Sequence, residues 1–164
     1  MSRNYILTGN LKLKPVWSED FSATVISDRA VIVNDVNLNS VDSDNYVDAH
    51  FKDQVDVDTT ASEIDLTLLD HKAFGDSGTI ALENILLIYL ENKSETQNVT
   101  VFGGSTNAWE GFSAGAITLK PRSVLYATAP GSGWPVTSTA KKIQLQASAA
   151  GAKLDVFLVG VIDE

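Results

Sequence analysis

Six aspartates crowd the interval from Val41 to Asp58, namely Asp42, Asp44, Asp48, Asp53, Asp56 and Asp58, with Lys52 as the one opposing charge. Carboxylates at this density are the ligand type that hard cations such as calcium take. An EF-hand loop, however, wants Asp-x-Asp-x-Asp-Gly and a glutamate at its twelfth position. Counted from Asp42, the fifth and sixth places hold Tyr46 and Val47, and the twelfth holds Asp53. Val55-Asp56-Val57-Asp58 then alternates strictly, which predicts a half-buried strand with both carboxylates on its wet face. The acidic run reads as a solvated strand face, and no metal is expected.

Nucleophilic and phosphate chemistry find no better template. There is no Gly-x-Ser-x-Gly elbow, Walker loop or His-Glu-x-x-His motif. Gly131-Ser132-Gly133 has the glycines of a phosphate loop, but Trp134-Pro135 follows where a helix should begin, so it reads as a turn. Of the two histidines, His50 lies beside Phe51 in the acidic strand and His71 follows Asp70. No serine stands out as a nucleophile for an Asp-His pair. A spatial pair of glycosidase carboxylates has no signature in sequence, and nothing argues for one. No catalytic residue and no cofactor is expected.

Tryptophan is the other residue type that could recognise a ligand. Trp109 and Trp134 fall in predicted loops, where an exposed indole on a β-sandwich can stack on a sugar. The favoured reading is that they cap the sandwich or bury themselves against another subunit, because tryptophan dominates interface cores. Asn92-Lys93-Ser94 and Asn98-Val99-Thr100 match glycosylation sequons.

The elements that would position these residues are short strands. Leu11-Lys12-Leu13-Lys14 alternates before Pro15, as an edge strand or extended arm does. Val25-Ile26 and Val31-Ile32-Val33 are β-branched runs bounded by turn residues. From Ala61 to Leu69 the alternation places Ile64, Leu66 and Leu68 on one face and Glu63, Asp65 and Thr67 on the other. Residues 70–75 offer one turn of helix with an Asp cap and a Gly stop. Ile85–Leu90 is apolar throughout, as a central strand covered on both faces would be, and Leu154–Ile162 reads as a second fully buried strand. Val99–Phe102, Ile117–Leu119, Val124–Tyr126 and Ile143–Gln146 supply further strands, and Ser105–Gly115 a glycine-rich loop. The fold class is all-β: a single jelly-roll-like β-sandwich over residues 15–164, preceded by a basic arm or edge strand over residues 1–14.

The totals agree. A chain of 164 residues is large enough to bury one core without staples, and it has no cysteine to form disulfides or thiolate metal sites. No apolar run approaches the roughly 20 residues that span a bilayer, and no membrane partner is expected. The N-terminus lacks the apolar stretch of a secretory signal, so synthesis in a cytoplasm is expected. A net charge of −9 repels phosphates, and no nucleic acid partner is expected. Residues 1–79 hold 14 acids and 6 bases, whereas the first 14 residues carry Arg3, Lys12 and Lys14 and no acid. A basic arm thus precedes an acidic body, either as a solvated terminus or as an arm lying against an acidic neighbour.

From Asp65 to Val161 an ordered series of features resembles the C-terminal part of small virion structural proteins of tailed bacteriophages. Asp65-Leu66 precedes Ala73-Phe74-Gly75, and then come Leu86-Leu87-Ile88-Tyr89-Leu90-Glu91-Asn92 and Val99-Thr100-Val101-Phe102-Gly103-Gly104. Asn107-Ala108-Trp109 and a Gly-x-Ile-x-Leu-x-Pro strand from Gly115 to Pro121 follow. The series closes with Val124 to Trp134, Lys142-Ile143-Gln144-Leu145, and Leu154 to Val161. The resemblance implies a non-enzymatic capsid decoration or cement protein, made in the bacterial host cytoplasm and carried on the capsid surface of the virion. It further implies a homotrimer bound to the major capsid protein. The basic residues Arg3, Lys12 and Lys14 are the expected capsid contacts, an expectation drawn from the charge of the arm and not from the resemblance. The alternative on the same fold is a glycan- or receptor-binding spike or tail component with Trp109 or Trp134 as stacking platform. Residues 1–60 lie outside the resemblance.

Overall fold

The computed structural model describes the backbone of residues 6–13, 16–21, 24–29, 32–39, 49–73, 76–113 and 115–162, and the side chains of residues 49–70, 78–112 and 115–162. It is an antiparallel all-β structure. The N-terminal part is a nested ribbon of β1 (Ile6–Leu13), β2 (Val16–Phe21), β3 (Thr24–Arg29) and β4 (Ile32–Asn39). β1 pairs with β4 from Ile6↔Asn39 to Leu13↔Ile32, and β2 continues the same register with β3 from Val16↔Arg29 to Phe21↔Thr24. The predicted N-terminal strand is therefore one side of a long hairpin, and Val25-Ile26 and Ile32-Val33 fall on the returning side.

The strands that follow are β5 (Ala49–Val57), β6 (Ser62–Asp65), β7 (Leu69–Ala73), β8 (Asp76–Ile80), β9 (Leu82–Asn92) and β10 (Val99–Gly103). After a four-residue helix α1 (Glu110–Ser113) come β11 (Ile117–Leu119), β12 (Val124–Thr128), β13 (Trp134–Pro135), β14 (Lys142–Ala147) and β15 (Ala152–Ile162). One sheet runs β12-β9-β15-β5, with β13 also on β9; the other runs β11-β10-β14-β6. They pack face to face as a β-sandwich. The two-residue period puts Phe51, Ile88, Leu90, Leu154, Val156 and Leu158 of the first sheet against Val99, Val101, Leu119, Ile143 and Leu145 of the second, in one buried core.

β9 is central and covered on both faces, as its unbroken apolar run predicts. Its register with β15 slips between Val159 and Gly160, where Val159 faces Leu87 and Gly160 faces Ile85. The inserted residue, Leu86, joins Leu87 and Val159 in a second buried cluster on the outer face, with Tyr89, Tyr126 and Phe157 packed around it. Gly160 is required at the slip, because a Cβ there would stand 2.0 Å from the Asn84 carbonyl oxygen. β5 closes its sheet as an edge strand. Asp53 occupies a core-facing position between Phe51 and Val55 yet stays exposed, and its carboxylate takes the Gln54 N–H at 2.8 Å.

Four expectations are corrected. The helical turn expected over residues 70–75 is replaced over its described part, Asp70–Ala73, by strand: β7 and β8 make a hairpin paired from Leu69↔Ile80 to Ala73↔Asp76, with Leu69 in the core, and Phe74 and Gly75 lie outside the described residues. A single helical turn would leave most of its backbone groups unpaired, whereas the hairpin satisfies them across the ladder. The alternation from Ala61 to Leu69 stops at Asp65, whose carboxylate accepts hydrogen bonds from the Thr67 N–H (3.0 Å) and hydroxyl (2.7 Å) and turns the chain. Leu66 is consequently buried, while Leu68 is 65% exposed. β15 is buried on both faces only near its end; over Lys153, Asp155 and Phe157 it alternates like a half-buried strand. The glycine-rich loop contains the short helix α1.

Candidate functional site

The loop after β10 is laced to the start of β14. The Asn107 carbonyl accepts from the N–H groups of Lys141 and Lys142, both at 2.9 Å, and the Lys142 carbonyl accepts from Gly104 (3.0 Å) and Trp109 (2.9 Å). Asn107 takes the left-handed conformation, φ 56°, which asparagine tolerates better than most residues. This lacing turns Trp109 inward, where it is 1% exposed and its Nε1–H donates to the Pro135 carbonyl at 2.9 Å. Phe112 and Trp134 meet the indole edge-on, at centroid distances of 5.5 and 6.3 Å. Gly111 lets the helix lie against the ring, since a Cβ there would be 2.2 Å from Trp109 Cζ3.

Beside this cluster the two sheets part, leaving an open apolar cleft of about 140 Å³. Ile88, Phe112, Ile117, Leu125, Ala127 and Trp134 line it, from β9, α1, β11, β12 and β13. Ile117 is 38% exposed at its rim. No ionisable side chain enters the lining. The cleft can accept an apolar group but offers nothing to move a proton or hold an ion.

Three carboxylates elsewhere, Glu63, Asp65 and Glu91, are each committed to a lysine and a hydroxyl. On the β6–β14 seam, Lys142 Nζ lies 2.8 Å from Glu63, which Ser105 also contacts at 3.3 Å. The Lys142 hydrogen bond leads in holding the Glu63 carboxyl below its usual range, and Glu63 in turn raises Lys142. Lys141 Nζ bonds Asp65 at 3.0 Å and the Thr67 hydroxyl at 3.1 Å. Partial burial opposes ionisation of Asp65, yet the bonds from Thr67 and Lys141 outweigh it and lower its pKa. On the outer face of the first sheet, Glu91 accepts from Lys93 (2.9 Å) and from the Tyr89 hydroxyl (2.7 Å). Those bonds lower Glu91, and the bond to Glu91 leads in pushing Tyr89 up to about 12. A general acid needs a raised carboxyl; these are lowered.

The acidic strand places Asp56 against Lys153 at 2.6 Å, and Asp58 accepts from the Thr59 N–H at 2.7 Å, both on the solvent side. Among the described residues no group of three or more His, Asp or Glu side chains converges as metal ligands would. Asp42, Asp44 and Asp48 lie outside the described residues. His50 sits on β5 opposite Val159, its ring 6.3 Å from that of Phe157, while Asp70 and His71 are successive residues of β7.

The structure thus brings Trp109 and Trp134 together, but Trp109 presents no ring face to solvent; Trp134 is half-buried beside the cleft. Lys12 lies on β1 opposite Val33, and Arg3 and Lys14 fall outside the described residues. Sequence reasoning missed the cleft, whose lining is gathered from positions 88 to 134. It also missed Asn92, which is fully buried at the end of β9 rather than displayed as a sequon. The available signal was its phase, two residues beyond Leu90 on the face that Ile88 and Leu90 turn to the core. Searches against protein-family models and curated protein sequences give no match for this chain.

Proposed function

We propose that this chain is a non-enzymatic structural component of a bacteriophage virion that decorates and stabilises the capsid as a homotrimer held against the major capsid protein. The observation that carries the proposal is the apolar, charge-free cleft of Trp134, Phe112 and Leu125 with exposed Ile117 at its rim. Such a surface suits contact with another polypeptide better than chemistry. Two further features support it. From Leu86 to Val161 the sequence features that resemble virion proteins fall on β9, β10, β11, β12, β14 and β15 and the loops between them. Followed along the chain, β5, β6, β9, β10, β11, β12, β14 and β15 change sheet at every step but β10 to β11, and the first and last are neighbours. This is the order expected of an eight-stranded jelly roll. The glycan-binding alternative draws no support from Trp109, which is buried.

The test is light scattering on the full chain, with co-sedimentation on phage capsids assembled without it. A trimer that pellets with capsids is expected, and Ile117→Asp should weaken self-association while leaving the circular dichroism spectrum unchanged. A wild-type chain that stays monomeric at all concentrations and remains in the supernatant would sink the proposal.

A further inference from the structure

We draw no further inference here: the strongest candidate, the second apolar cluster of Leu86, Leu87 and Val159 on the outer face of the five-stranded sheet, carries nothing because nothing in the structure shows what covers it.

Discussion

Replacing Asn92 with aspartate changes one amide nitrogen to oxygen and should nearly unfold the protein at neutral pH. Asn92 occupies a core-facing position in register with Leu154. Its Nδ2 donates to the carbonyls of Gln97 (2.8 Å), Leu119 (3.0 Å) and Lys120 (3.1 Å), and its Oδ1 accepts from the Ser94 N–H at 3.0 Å. One side chain therefore ties the end of β9 to the β9–β10 turn and to the chain leaving β11. At about 1 kcal/mol per net hydrogen bond, Asn92→Ala should cost about 3 kcal/mol, two amide hydrogens being shared among three carbonyls. Asn92→Asp keeps the shape but aims an anion at those carbonyls, so its cost should exceed that of alanine and reach about 5 kcal/mol. A penalty of that size approaches the whole stability of a small domain, about 5 to 15 kcal/mol. Because folding disfavours the ion, the introduced carboxyl has a higher pKa folded than unfolded. Its ionic penalty is absent below the unfolded value of about 4 and grows as pH rises. Urea denaturation followed by tryptophan fluorescence at pH 7 and at pH 4 measures both effects. An aspartate variant within about 1 kcal/mol of wild type at pH 7, less than one charged group's lost hydrogen bonds, would refute the reasoning.

Gly111→Ala should destabilise by about 2 kcal/mol, because its methyl meets the Trp109 ring, whereas Gly115→Ala, with nothing within 4 Å, should be near neutral in the same assay. Glu63, Asp65 and Glu91 have depressed pKa values, so their contribution is present above the unfolded carboxyl range and is lost as pH falls through the folded values. Melting temperature should fall on acidification below about pH 4, and Lys142→Met should flatten that decline by removing the partner of Glu63. Tyr89 should keep its proton to about 12, and Glu91→Gln should bring its ultraviolet titration back towards the ordinary phenol range. An unchanged Tyr89 titration in that variant would mean that the hydrogen bond to Glu91 is not the cause.

What was legible in the sequence is what local pattern decides. Ile85–Leu90 announces a strand covered on both faces, Val55 and Val57 announce the core side of β5, and Gly131 and Gly133 announce a turn that both enter with positive φ. What was hidden depends on partners distant in the chain. Trp109 is buried because Lys141 and Lys142, more than 30 positions later, hold its loop by backbone hydrogen bonds. Leu68 is exposed because Asp65 bonds Thr67 and ends β6 early, a local event that continued alternation masks. The β7–β8 hairpin offers too few residues for either periodicity to win. The cleft is a property of where two sheets part, and no window of sequence contains it.

The carboxylate of Asp53, standing on the core-facing side of an edge strand, has a consequence for the protein in a crowded solution. An incoming strand that added to β5 would have to bury that charge between the sheets and displace its hold on the Gln54 N–H. Both changes are unfavourable, which is how native edge strands resist templated growth. Concentrated stocks should stay free of fibrils, whereas a chain with valine at position 53 would present a continuous apolar margin on which cross-β stacking could seed.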